Sequence, residues 1–190
     1  MISNKIKEGI SGDIKIPSDK SISHRSIIIP SIAKGVSEVS NLLFSDDVLH
    51  TLEAFKSLGI KILKEKNKII IHGNGIGSLK KPNKNIYLGN SGTSARLLTG
   101  LLSSQSFNST LEGDKSLSSR PMHRIMDPLK LMGAEFDNSS GTLPLKIIGR
   151  KLTNAKIEIK IPSAQIKSGL IFAAINTNGM SHFIEKNITR

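Results

Sequence analysis

Lys20, Ser21, Ser23, His24 and Arg25 place two cations, two hydroxyls and an imidazole within six residues of the stretch IPSDKSISHRSIIIP, directly ahead of an isoleucine run. Cations and hydroxyls at the start of a helix suit an anion, because the first turn offers free N–H groups and a positive partial charge. Three further stretches have the same character: GNSGTSARLL at 89–98, GDKSLSSRPM at 113–122 and PSAQIKSGL at 162–170. Each has a plainer reading by itself. Ser18 and Asp19 can serve as an N-cap, GNSG as a turn, and Gln165 as an ordinary helix residue. What raises the set above these readings is that the polar residues return at the same phase along the chain.

The elements that must position them show the same return. GDIKIPS reads as a strand and Lys20 to about Lys34 as a helix, followed by strand VSEVSNLLF and helix DDVLHTLEAFKSLG. In that helix Val48, Leu52, Phe55 and Leu58 fall at helical spacing and Gly59 is the stop. IKILKE and KIIIHG form a strand pair joined by Lys-Asn. The order β-α-β-α-β-β then recurs as NIYLGN, SGTSARLLTGLLSS, FNSTLEG, RPMHRIMDPLKLMG, AEFDN and LPLKIIG. A third round opens with AKIEIKIPS, AQIKSGLIFAAI and SHFIEK. Lys20 to Gly92 is 72 residues, Gly59 to Gly133 is 74, and Gln165 follows Gly92 by 73. The unit is therefore about 73 residues long, with two complete copies and the start of a third. The helices that head the copies are too apolar for a surface. The expected fold is α/β with pseudo-threefold symmetry, the central helices buried and their N-termini emerging at one end. Lys20, Ser21, Arg25, Ser91, Thr93 and Gln165 would then decorate a site for a multiply charged anion.

Composition sets the limits. The 190 residues are 37% hydrophobic and 4% aromatic, with no Trp, so the core must be aliphatic. The absence of Cys excludes disulfides, thiolate metal sites and a Cys nucleophile, and fits a reducing compartment. The first residues have no apolar run, and no segment approaches about 18 apolar residues, so neither a signal peptide nor a membrane span is expected and the protein is placed in the cytoplasm. The net charge of +12 invites a nucleic-acid reading. Against it, most of the basic residues are scattered Lys, and the motifs hold almost no aromatics to stack bases. Of the six Arg, four (Arg25, Arg96, Arg120 and Arg190) fall in or beside the motifs. Arginine grips phosphate and carboxylate through a planar fork.

The four motifs, in order and in register over nearly the whole chain, closely resemble the signature segments of the 5-enolpyruvylshikimate-3-phosphate synthase family, in its N-terminal portion. The resemblance implies transfer of the enolpyruvyl group of phosphoenolpyruvate to the 5-hydroxyl of shikimate 3-phosphate, with release of phosphate and no metal or organic cofactor. It implies an enolpyruvyl transferase-like, inside-out barrel built of βαβαββ repeats, in two domains. Residues 1–19 would be a first strand that packs with the second domain, and 20–190 a substrate-binding domain with its third repeat unfinished. By resemblance, Lys20 and Arg120 are catalytic contacts to the phosphoenolpyruvate phosphate, with Asn90, Gly92 and Gln165 lining the same pocket. Ser21, Arg25, Ser163, Ala164, Gln165 and Arg190 would hold shikimate 3-phosphate, Ala164 through its backbone N–H. Arg190 rests on a Ser/Thr-Arg pair, here Thr189-Arg190. His24 is expected to pack or hydrogen-bond rather than act as a base. Arg96 is expected to reach back to the site or pair with a carboxylate, and Asp46 and Asp47 to open their helix. Ser18 stands where the family usually has glycine, and Pro30 should kink or shorten the first central helix.

The acid/base groups of the family lie in a second domain that cannot be mapped onto these residues. The chain is therefore expected to be part of a longer enzyme, monomeric when whole, and to be inactive and only weakly substrate-binding alone, with apolar helix faces exposed. Three alternatives remain. A UDP-N-acetylglucosamine enolpyruvyl transferase would want Lys-Asn at 20–21 and a Cys near 120. The others are a basic nucleic-acid-binding module and a pseudo-enzyme that keeps these motifs.

Overall fold

Asp19 starts the first helix. Its carboxylate accepts the Ile22 N–H at 2.7 Å, satisfying a donor that the first turn leaves free. The computed structural model describes residues 11–14, 16–138 and 140–186. Helix α1 (Lys20–Ile32) runs through Pro30 and ends two residues later. The imide removes one hydrogen bond only where the helix is about to stop, so it shortens the element by a turn or less.

The first round continues as β1 (Lys34–Ser40), α2 (Asp46–Ser57), β2 (Lys61–Glu65) and β3 (Lys68–Asn74). The strands form an antiparallel sheet in the order β1-β3-β2, so the last strand lies in the middle. The β2–β3 hairpin turns at Lys66, whose φ of 45° is the left-handed conformation that such a tight reversal demands. Along β3 the inward residues Ile69 and Ile71 are buried.

The second round is β4 (Ile86–Tyr87), α3 (Gly92–Ser103), β5 (Ser109–Glu112), α4 (Lys115–Ser118), α5 (His123–Lys130), β6 (Glu135–Asp137) and β7 (Leu145–Ile148). Its sheet runs β4-β5-β7-β6, with β4 parallel to β5 and the other pairs antiparallel. The segment β5-β7-β6 thus repeats β1-β3-β2. The third round is β8 (Lys156–Ile159), α6 (Ala164–Ala174) and β9 (His182–Glu185), with β8 parallel to β9. The structure adds the short α4 to the sequence reading, and starts α5 at His123, two residues after Pro121.

Residues 12–18 were expected to be a strand. Residues 11–14 and 16–19 form none, and Ile14 and Ile16 are exposed. Residues 1–10 and Lys15 lie outside the described residues. Ser18 donates its hydroxyl to the Asn41 carbonyl.

α3 is the buried axis. Leu97, Leu98, Leu101 and Leu102 are fully inaccessible, and Phe55, Ile27, Ile28, Leu58, Leu111, Leu129 and Leu145 complete an aliphatic core around it. α3 packs on α6 at glycine: a methyl group on Gly100 would fall 1.9 Å from the Gly169 carbonyl oxygen. α1 and α6 are covered less completely. Ile22 and Ile29 on α1 and Ile171 on α6 stay exposed, at 65%, 52% and 44%. The apolar faces expected to be open are open.

Candidate active site

The three central helices begin with the same device. Asp19, Ser91 and Ser163 are their N-caps, spaced 72 residues apart, and each side chain accepts the N–H of the third helical residue: Ile22, Ser94 and Ile166. Capping fixes the approach of the chain and leaves the remaining first-turn donors pointing outward. Ala164, the first residue of α6, is one of those donors. Ser163 is therefore both a cap and a neighbour of the tip.

Around α3 the cations converge. Gly92 opens the helix, and a methyl group there would sit 3.0 Å from Arg96 Nη1 and 3.1 Å from Arg120 Nη1. Arg96 Nη1 donates to the Gly92 carbonyl at 3.3 Å and to Gln165 Oε1 at 2.8 Å, while Gln165 Nε2 donates to Thr93 Oγ1 at 3.0 Å. Arg96 thus reaches back to the site and, among the described residues, has no carboxylate partner. Its pKa is lowered by burial first, then by Arg120 and Arg124. This is the signature of a guanidinium held in a crowd of like charge. Arg120, in the turn between α4 and α5, donates to Asn90 Oδ1. Asn90 donates in turn to Asp114 Oδ2 at 2.9 Å, and Asp114 Oδ1 caps α4 through Leu117 N at 2.7 Å.

On the α1 side, Lys20 pairs with Asp47 on α2. Arg25 Nη1 returns to the Ser21 carbonyl at 3.0 Å, and Nη2 donates to Ser168 Oγ on α6 at 2.6 Å. Ser21 is exposed beside it. His24 is buried, with Nδ1 2.7 Å from Thr51 Oγ1. Its pKa falls to about 4, by burial first and then by Lys20, against the opposing pull of Asp47, with Arg25 adding to the depression. A neutral, inaccessible imidazole below two cations is no general base.

Gly92, Asn90, Arg96, Arg120 and Gln165 are therefore brought together, and Lys20, Ser21 and Arg25 form an adjoining patch on the tip of α1. Arg190 lies outside the described residues. Among the described residues no carboxylate pairs with Arg25, Arg96, Arg120 or Arg124. Arg25 and Arg96 on the central helices, with Arg120 in the α4–α5 turn and Arg124 on α5, can bind anions of more than one charge. Sequence reasoning missed Asp114, which steadies Asn90, and Ser168, which receives Arg25. It also set Arg124 aside and read Asp47 only as a helix opener. Ser168 could have been found from the repeat, since it lies 72 residues after Arg96.

The family profile described as EPSP synthase (3-phosphoshikimate 1-carboxyvinyltransferase) matches residues 5–190. A 3-phosphoshikimate 1-carboxyvinyltransferase of Oceanobacillus iheyensis is 46% identical over 187 residues, covering 97% of this chain and 44% of that protein. One from Lactococcus lactis subsp. cremoris is 47% identical over 187 residues, covering 96% and 43%. The solved EPSP synthase of Acinetobacter baumannii superposes with a TM-score of 0.90 at 44% identity, over 94% of this chain and 41% of that one. The chain spans less than half the length of the relatives it matches. With four motifs, the repeated architecture and these matches in agreement, the chain belongs to the EPSP synthase (3-phosphoshikimate 1-carboxyvinyltransferase) family.

Proposed function

We propose that this chain supplies the anion-gripping surface for transfer of the enolpyruvyl group of phosphoenolpyruvate to the 5-hydroxyl of shikimate 3-phosphate. The observation that carries the reading is the approach of Arg96 and Arg120 to the bare Cα of Gly92, 3.0 and 3.1 Å from where a side chain would begin. A glycine there lets both cations close onto the tip of α3, beside its first-turn N–H groups, where an anion can be gripped from both sides. Both substrates are anions, and bringing them together costs Coulomb energy that fixed cations offset.

In this reading Arg120, held by Asn90, grips the phosphoenolpyruvate phosphate, and Lys20 leaves Asp47 to join it. Arg25 and Ser21 take the shikimate carboxylate. Ser163, the Ala164 N–H and Gln165 take the shikimate phosphate, with Arg190 as a further phosphate contact. Gln165, already tied to Thr93 and Arg96, bridges the two substrates. Orienting the two reactants is the second contribution.

The reading also takes the protein to act in the cytoplasm as a monomer, with no nucleic-acid or membrane partner. No helix of the described residues is long and apolar enough to cross a membrane. Titrating the labelled 190-residue chain with shikimate 3-phosphate, phosphoenolpyruvate and a DNA oligonucleotide tests the assignment by amide shifts. Saturable changes at Gly92, Thr93 and Gln165 with the two phosphates support it. Tighter, salt-sensitive binding to the oligonucleotide, or no response at those amides, overturns it.

A further inference from the structure

The fifth residue of each central helix is polar and turned onto a neighbouring helix. These residues are His24 on α1, Arg96 on α3 and Ser168 on α6, again 72 residues apart. His24 Nδ1 lies 3.3 Å from Ser94 Oγ on α3, Arg96 donates to Gln165 on α6 at 2.8 Å, and Ser168 receives Arg25 of α1 at 2.6 Å. Side-chain bridges thus close a circuit around the three tips, one on each side.

The bridge between α1 and α3 differs from the other two because it is wholly buried. His24, Thr51, Ser91 and Ser94 are all inaccessible or nearly so. Their polar atoms form a line: His24 Nδ1 to Thr51 Oγ1 at 2.7 Å, Thr51 Oγ1 to Ser94 Oγ at 2.6 Å, and Ser94 Oγ to Ser91 Oγ at 2.6 Å. His24 Nε2 is buried and has no hydrogen-bond partner among the described residues. A buried orphan N–H is the costlier error, so the proton belongs on Nδ1, where it has an acceptor. Nδ1–H then donates to Thr51, the Thr51 hydroxyl to Ser94, and the Ser94 hydroxyl to Ser91. Thr51 has one further acceptor, the Asp47 carbonyl at 3.2 Å, and the shorter contact to Ser94 at 2.6 Å has the stronger claim on its proton. The line ends on the N-cap of α3, one residue before Gly92.

We propose that His24 is a positioning residue for the anion site, acting through Thr51, Ser94 and Ser91 to hold the tip of α3 in phase with the tip of α1. The inference rests on the proposed function and goes beyond it. It assigns the setting of the Gly92 amide to a side chain that touches no substrate. A donor at the head of a buried line of hydroxyls occupies the Thr51 oxygen and favours the setting in which Thr51 donates onward to Ser94. Without the donor Thr51 and Ser94 can reverse, and the cap loses its fixed partner.

The test uses the labelled 190-residue chain with His24→Leu, His24→Asn, Ser94→Ala and the double variant H24L/S94A. Leucine fills the space without a donor, and asparagine keeps an N–H where Nδ1 stands. Thermal melting, the Gly92 and Thr93 amide resonances, and affinity for shikimate 3-phosphate are read on each. His24→Leu stays folded, moves both resonances and weakens binding about tenfold, the scale of one lost hydrogen bond. His24→Asn restores both. Ser94→Ala reproduces the loss, and the double variant adds little to either single one. Wild-type binding in His24→Leu, a loss that asparagine fails to restore, or an Nε2–H tautomer in the nitrogen spectrum of His24 overturns the proposal. If the wild-type chain binds no anion, the proposed function fails, and the shift of Gly92 and Thr93 in His24→Leu alone decides the positioning role.

Discussion

Gly100 and Gly169 meet where α3 crosses α6: a methyl group on Gly100 would stand 1.9 Å from the Gly169 carbonyl oxygen, and one on Gly169 2.8 Å from the Arg96 carbonyl oxygen. The two helices touch backbone to backbone, which brings Gln165 within reach of both Thr93 and Arg96. Gly100→Ala must push the helices apart, so urea unfolding should show a loss of at least about 2 kcal/mol, within the range of overpacked cores. The Gln165 side-chain amide should shift in the same variant. An unaltered midpoint contradicts this crossing.

Arg120 is held in place by a chain that ends in a carboxylate, Asp114 to Asn90 to Arg120. Asp114→Ala removes the tether and the α4 cap together. The cap accounts for about 1 kcal/mol of stability. Phosphoenolpyruvate affinity should fall several-fold while shikimate 3-phosphate affinity holds. Equal losses for the two ligands, measured by calorimetry, reject this division of labour.

In an active polypeptide that carries this chain, Arg120→Ala or Lys20→Met should lower kcat/KM by at least about two orders of magnitude, the scale of one lost charge-stabilising group. The fold should survive, since both side chains are at the surface of the tips. Steady-state kinetics beside a melting curve checks both halves of the statement.

His24 makes stability depend on pH. The unfolded imidazole takes up a proton near 6.5 and the folded one only near about 4. Above pH 6.5 both states are neutral and the residue contributes nothing to the slope. Between 6.5 and 4 the unfolded state binds the extra proton, so stability drops as the pH is lowered, by up to about 1.4 kcal/mol per unit. Urea midpoints of the wild type should drop relative to His24→Leu across that window and run parallel to it above. Parallel curves throughout refute the depressed pKa.

The described tips carry three carboxylates, and each is engaged, Asp19 with the Ile22 N–H, Asp47 with Lys20, and Asp114 with Asn90 and α4. Asp19 and Asp114 are tied to backbone N–H groups, and Asp47 is released only as Lys20 turns to its ligand. The purified 190-residue chain should therefore show no release of phosphate from phosphoenolpyruvate and shikimate 3-phosphate. Clear turnover overturns the view that this surface binds without supplying the acid.

The repeat was legible because it rests on local signals: helical spacing in Val48, Leu52 and Phe55, glycine stops at 59 and 133, and strand pairs with short turns. α4 was not, since four residues, Lys-Ser-Leu-Ser, carry no period and are held by the Asp114 cap. The crossing of the last strand back into the middle of each sheet was also hidden, because hairpin chemistry fixes neighbours in sequence and not the third partner. That Thr93 and Gln165 would meet could be read from motif phase, whereas Gly92 and Arg120 entered through the family resemblance alone. The bonds of Arg25 to Ser168 and of His24 to Thr51 could not, as each joins helices whose contact is set by packing.

Lys20 is paired with Asp47 before any ligand arrives. On the proposed reading a guest must displace that carboxylate, and a singly charged anion such as chloride or acetate offers the ammonium nothing better, whereas a doubly charged phosphate ester does. The pair would then act as a threshold, set by charge, at the tip of α1.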